Sequence, residues 1–375
     1  MTLERKLREK GHEVFIFTID PKTKDKIVSP NIIYFSGFQV PLKKINSYRL
    51  ALRSHMKVRI VKKYNLDVIH LQTEFSMARF ALVASKRYKI PLVYTLHTLY
   101  EDYLSYISKT IDEHFHKSFL ASLAKILIAP INKVASIKIV PSRKTLASIS
   151  KYMIDGDVRV IPTGLDFKKL LGKKQDEDSL KTLKEKLNIP LTDIIYLYLG
   201  RISPEKSIDV LIKAFSKAYK INHNMTFLAV GDGAILNELK EEANKLEIPK
   251  DKIKFLGFIE WEDVVPYYQI ADAFLNASIS ETQGLTYIES LACGTPIIVK
   301  YDEVLDNVVK EGINGFFYYE EEELVNYLVK FASDRSILAK LKNKTYETVL
   351  DFNDDIFVDR VYHVYEDAIR KYHKK

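Results

Sequence analysis

Short apolar runs alternate with amphipathic stretches along this 375-residue chain, and the whole alternation is made twice. That repetition restricts the fold more than any other feature. Runs of strand-forming residues separated by helical spacing specify parallel sheets covered by helices, not hairpins. In the first series the runs are HEVFIFTI (12–19), DVIHLQ (67–72), PLVYTLH (91–97), IKIVPS (137–142) and VRVIPTG (158–164), with a helix expected over Met77–Tyr88. In the second they are IIYLYLG (194–200), MTFLAVG (225–231), IKFLGF (253–258), AFLNAS (273–278) and PIIVKY (296–301). Between the series, residues 168–188 are rich in Lys, Asp and Glu and read as a linker followed by a surface helix. The length exceeds one ordinary core. Two doubly wound α/β domains are therefore expected, over 1–165 and 166–350, with a closing helix in 351–375.

Open sheets of this kind bind ligands beyond the carboxyl ends of their strands. Three groups fall there in the second series. GRISPEKS (200–207) places Arg201 after a strand and Lys206 at the start of the next helix. A bidentate guanidinium and a point-charge ammonium beside a helix amino terminus suit a diphosphate. GDGAILNEL (231–239) sets Gly231 and Gly233 around Asp232, allowing a tight turn and close approach to the backbone. ISETQGLTYIESLACGTP (279–296) carries Glu281 ahead of Gly284 and Glu289 in the helix expected from Leu285. Eight residues at the helical rise would separate the two acids by about 12 Å. That distance is too wide for a shared proton, and it fits the two ends of a nucleotide sugar.

In this order, GRISPEK, GDG, FLGF and ETQGLTYIESLACGTP resemble the retaining glycosyltransferases of the family 4 type. The resemblance implies two Rossmann-like domains of the GT-B type facing across a cleft, the closing helix returning to the first. It assigns Arg201 and Lys206 to the donor diphosphate and to catalysis, Glu281 to the hexose, and Glu289 to the ribose. Backbone groups over Thr282, Gln283, Gly284 and Leu285 would cup the sugar and distal phosphate, with Gly231 also on the donor and Phe258 and Ile259 at the base. HLQTEFSMARFAL (70–82) and TLHTLYEDYLSYI (95–107) are similar to the branch that glucosylates diacylglycerol in bacterial membranes. There His97 would be catalytic and face the hexose, while Tyr100 and Asp102 would border the acceptor. Members of the family begin with a strand and a Gly-rich turn before the helix leading into GHEVFIFT. This sequence begins at Met1 inside that helix, so the strand and turn are expected to be absent.

Charge divides the chain. Residues 1–165 hold 28 Lys/Arg against 13 Asp/Glu, whereas the rest carries a balance of −7. Lys43–Lys63 contains eight cations and no acid, with Arg49, Arg53 and Lys57 at i, i+4 and i+8, one face of a helix. An anionic membrane surface is the expected partner of that run. The single cysteine, Cys293, excludes a disulfide framework and a cysteine-based zinc cluster. No metal-ligand cluster is visible, so no cofactor is expected and the UDP-sugar is a co-substrate. No apolar run reaches the roughly 20 residues of a membrane span, and the first ten residues are not a secretory signal. The expected protein is thus cytoplasmic and peripheral on the inner membrane face. It would transfer a hexose, glucose above all, from UDP to a lipid such as diacylglycerol. A soluble enzyme acting on a wall polymer is the alternative, followed by a non-catalytic homologue. A nucleotide-sugar epimerase lacks the ETQGLTY arrangement, and no module for nucleic acid appears.

Overall fold

The computed structural model describes residues 2–20, 26–29, 31–39, 49–51, 53–97, 126–149 and 154–374. They form two compact units. One comprises 1–164 with 354–375, and the other comprises 165–353.

In the first unit, Ile16–Asp20 pairs in parallel with Ile32–Ser36, and Lys26–Ser29 adds an antiparallel edge. A second sheet of four parallel strands runs Ile69–Leu71, Leu92–Thr95, Ile137–Val140, Val158–Val160. One helix, Ser76–Tyr88, serves both sheets. Phe80 packs 5.5 Å from Phe17 and 5.0 Å from Phe35 between ring centres, while Ala78 and Ala81 join the core of Leu71, Leu92 and Tyr94. Alternate residues of a strand face opposite ways, so Val93, Ile137 and Ile139 lie under the other cover. That cover is the closing helix Asp354–His373 with Val358, Val361, Val364 and Ala368, joined by Leu7 of the opening helix Thr2–Glu9. Lys6, itself buried, holds Asp355 at 2.6 Å and Asp354 at 3.5 Å, and so ties the first helix to the last.

The second unit is one sheet of six parallel strands. Its order is Ile253–Gly257, Met225–Val230, Ile194–Leu199, Ala273–Asn276, Ile297–Lys300, Gly315–Tyr318. Numbered along the chain this is 3-2-1-4-5-6, the doubly wound order. The central strand reads as a continuous apolar run because both its faces are covered. Ile195 and Leu197 pack with the helix Leu285–Ala292, while Ile194, Tyr196 and Tyr198 pack with Ile208–Tyr219 and Glu321–Ser333.

The ten expected runs all contain strands. Among the described residues five further strands emerge, at Lys26–Ser29, Ile32–Ser36, Phe38–Gln39, Arg49–Leu50 and Gly315–Tyr318. The basic run corrects one expectation. Arg49 lies in a two-residue strand paired with Phe38–Gln39, Arg53 precedes a 3₁₀ helix over Ser54–Lys63, and only Lys57 lies inside that helix. The three cations therefore share no helical face. Ser54, Val58 and Val61 turn inward instead, and spacing by four does not align residues at three per turn.

Candidate active site

Where the sheet order reverses, strand Ile194–Leu199 is flanked by Met225–Val230 and Ala273–Asn276. The loops that leave their carboxyl ends carry all three motifs.

The first two loops are packed backbone to backbone. Ile202 N donates to Asp232 O at 2.9 Å, and Gly200 N to Val230 O at 3.0 Å. A Cβ on Gly231, whose φ is +141°, would fall 1.8 Å from Gly200 O, and one on Gly233 2.0 Å from Ile202 O. Both glycines are thus demanded by the neighbouring loop, whatever a ligand also requires.

From the first loop, Lys206 Nζ reaches Glu281 Oε1 at 2.6 Å. Both side chains are largely covered, at 16% and 15% exposure. Lys206 ends the single turn Pro204–Lys206, and Ser207, left-handed at φ 49°, turns the chain into helix Ile208–Tyr219. Arg201 points outward, 61% exposed, with its Nε 4.0 Å from Glu205. Its backbone is held from beneath by the Tyr198 hydroxyl, which donates to Arg201 O at 2.8 Å. The motif thus splits into a paired cation at the reversal and an exposed one nearby.

The third loop turns at Gly284, φ +76°, into helix Leu285–Ala292. A Cβ there would strike the Tyr287 ring at 2.6 Å. Gln283 is buried beside the turn, and Leu285 is exposed at the amino terminus, where free N–H groups attract negative charge. Only Leu285 onward is helical, so the helical rise does not set the separation of Glu281 and Glu289 over all eight residues, and the expected distance of about 12 Å loses its basis.

Glu289 sits deeper, at 5% exposure. The indole Nε1 of Trp261 donates to its Oε1 at 2.7 Å, and the Tyr268 hydroxyl donates to its Oε2 at 3.0 Å. Burial raises its pKa, and the two donors oppose that rise. Sequence reasoning missed both donors. The one available signal was the position of Trp261, the only tryptophan, directly after the stretch of Phe258 and Ile259. Phe258 itself is 67% exposed, and Ile259 packs partly on the core.

In the first unit, His97 follows strand Leu92–Thr95 and its Nε2–H donates to Gln72 Oε1 at 2.5 Å. Desolvation lowers its pKa and Glu74 pulls the other way, although the side chain still meets solvent. Nearby His70 lies 2.6 Å from the Tyr365 hydroxyl and 2.7 Å from that of Thr95. Burial, and then His97, lower its pKa to about 3. Tyr100, Asp102 and residues 43–48 of the basic run lie outside the described residues.

Six parallel strands in this order, with a basic loop and a helix amino terminus side by side at the reversal, make the second unit a Rossmann-like α/β domain of the class that binds nucleotides at that point. Comparison with known proteins narrows the class. Residues 180–348 match the model "Glycosyl transferases group 1" and residues 1–169 match "Glycosyltransferase Family 4". The chain is 37% identical to an alpha-monoglucosyldiacylglycerol synthase of Acholeplasma laidlawii, over 100% of this chain and 94% of that protein. It is 36% identical to the enzyme of that name from Streptococcus pneumoniae, over 98% of this chain and 81% of that one. The solved glycosyltransferase of Rickettsia africae has the same fold, with a TM-score of 0.73 at 20% identity over 98% and 93% of the two chains. Anabaena HepE in complex with UDP gives 0.70 at 20% identity, over 84% and 82%. The chain belongs to the family 4 glycosyltransferases of the GT-B fold, and it is an enzyme that transfers a sugar.

Proposed function

We propose that this enzyme moves glucose from UDP-glucose to a membrane lipid such as diacylglycerol, with retention at the anomeric carbon. The names of the two synthases to which it is similar support that acceptor. The observation that carries the reading is the 2.6 Å contact between Lys206 and Glu281 beside the amino terminus of helix Leu285–Ala292. It sets a cation and an acid together where a diphosphate and its sugar would meet.

In this scheme Lys206 exchanges Glu281 for the diphosphate, and Arg201 swings in from solvent. As the bond from the anomeric carbon to phosphate oxygen breaks, that oxygen gains negative charge. The two cations and the helix amino terminus stabilise it. The acceptor hydroxyl oxygen bonds to the anomeric carbon on the same face and passes its proton to the leaving phosphate. Glu281 and His97 orient the hexose and support its transient positive charge. Glu289 receives the ribose hydroxyls, and Phe258 and Ile259 border the base. The positive charge comes from the protein, so no cofactor enters the scheme.

Peripheral attachment to the inner face of the membrane accompanies this reading. Among the described residues, no helix is long and apolar enough to cross a bilayer. Met56, 70% exposed, stands beside the exposed cations Arg53, Lys57 and Arg59, a mixture suited to an anionic interface.

The test is turnover of UDP-glucose by the full chain with and without diacylglycerol in anionic vesicles. Lipid-dependent release of UDP and an α-linked glucolipid, identified by NMR, are expected. Transfer to a soluble polyol or wall polymer, with none to lipid, would replace the acceptor assigned here.

A further inference from the structure

We propose that Trp261 is a positioning residue: by holding Glu289 it ties the base-binding stretch to the ribose-binding acid and sets the preference for a ribonucleotide. This rests on the reading of Glu289 as the acceptor of ribose hydroxyls.

The geometry that leads there lies within the second unit. Glu289 projects from helix Leu285–Ala292, while Trp261 opens the turn Trp261–Asp263, two residues after Ile259. The indole N–H on Oε1 and the Tyr268 hydroxyl on Oε2 take one acceptor site on each oxygen. Each oxygen has a second lone pair, so the carboxylate can still receive hydroxyl groups. With both oxygens held, its plane is fixed before a nucleotide arrives, and less ordering is left for binding. The two donors differ in setting. Tyr268 is fully buried and anchored in the core. Trp261 is only partly buried, and its ring lies under Lys169 Nζ at 5.0 Å, itself paired with Glu262 at 2.9 Å. The indole is therefore the adjustable one of the pair. It stands in the loop that passes from base to ribose.

A ribonucleotide that hydrogen-bonds to Glu289 alters the acceptor of the only indole in the chain, so its emission reports the event directly. UDP added to the full-length enzyme is expected to shift that emission, and 2′,3′-dideoxy-UDP to shift it much less. An emission unchanged by saturating UDP would overturn the proposal without any substitution.

Affinities for UDP and 2′-deoxy-UDP, measured by calorimetry, then separate positioning from support of the fold. The native enzyme should favour UDP by about tenfold, the scale of one hydrogen bond to a charged group. Trp261→Phe keeps the aromatic bulk and removes the N–H. It should bring the preference to within about twofold by weakening UDP binding, with kcat at saturating donor nearly unchanged. Tyr268→Phe should move the preference in the same direction. Equal weakening of both nucleotides in Trp261→Phe would reduce Trp261 to a packing residue and overturn the proposal. Glu289→Gln locates any failure. If it retains the preference, the ribose reading of Glu289 falls. If it loses the preference while Trp261→Phe keeps it, only the role of Trp261 falls.

Discussion

Lys206 and Arg201 belong to one motif but bear on stability differently. Lys206 is mostly covered and paired with Glu281, so Lys206→Ala strands a carboxylate and should cost about 1–3 kcal/mol of stability. Arg201 is 61% exposed, and Arg201→Ala should leave the melting temperature almost unchanged. Loss of a preorganised partner for the leaving diphosphate should lower turnover about 100-fold or more in each. Steady-state kinetics beside thermal melts would check both; near-normal turnover in the two variants removes this loop from the mechanism. The two acids should divide along another line. Glu281→Gln is expected to lower kcat with little change in KM, because its interaction strengthens as charge develops, whereas Glu289→Gln should chiefly raise the KM for donor. The reverse pattern would undo the assignment. These four residues were legible in the sequence because each motif is local. Trp261 and Tyr268 were not, since they meet Glu289 across 28 and 21 residues of chain, a distance that only the folded loops close.

The closing helix is fastened by charge as well as by its apolar stripe. Asp157 takes hydrogen bonds from Arg159 and from Lys371 of that helix, while Arg159 also pairs with Asp367 at 2.7 Å. These partners, the Arg159 hydrogen bond first, lower the Asp157 pKa from 3.8 to about 2. A depressed carboxylate contributes stability above its unfolded pKa and loses it as the pH falls through the folded one. Solvent screening of this partly exposed pair reduces the contribution to about 1 kcal/mol above pH 5, about half gone by pH 3. Urea titrations of the native chain and Asp157→Asn should therefore diverge at neutral pH and converge on acidification; a gap independent of pH would exclude the linkage. Elements with a simple period were readable in advance. Ile194–Leu199 is apolar throughout and bounded by Gly200, and Ser76–Tyr88 keeps a helical spacing. Gly315–Tyr318 begins at a glycine packed against Ile297 O, a contact that no local pattern reveals. The 3₁₀ segment Ser54–Lys63 departs from expectation for the opposite reason, because spacing by four imitates an α-helix that the inward Val58 and Val61 do not support.

At the scale of the whole molecule, the basic charge is concentrated in residues 1–165. If that surface meets anionic lipid, sedimentation with vesicles should rise with anionic lipid content and fall toward physiological salt, where screening acts within about 8 Å. Neutralising Arg49, Arg53 and Lys57 together should weaken vesicle binding at least tenfold, at about 1 kcal/mol for each cation near the surface. Arg53 and Lys57 should contribute more than the half-buried Arg49. Affinity for UDP-glucose in solution should not change. Salt-independent sedimentation would shift the acceptor toward a soluble polymer.

Along the chain, residues 165–353 interrupt the first unit, and that order has a temporal side. Leu165 N donates to Phe352 O at 2.8 Å, so the second unit enters and leaves the chain at neighbouring points. On the ribosome it has all its residues once Asn353 is made. The first unit, begun earlier, still lacks helix Asp354–His373, and the sheet face of Val93, Ile137 and Ile139 lacks the larger part of its cover. At about 5–20 residues per second, that face waits only partly covered for on the order of ten seconds or longer while residues 165–353 are made. The half synthesised first is thus the half that folds last, and trigger-type chaperones should be found on nascent chains halted before residue 354 and released from those that extend past the closing helix.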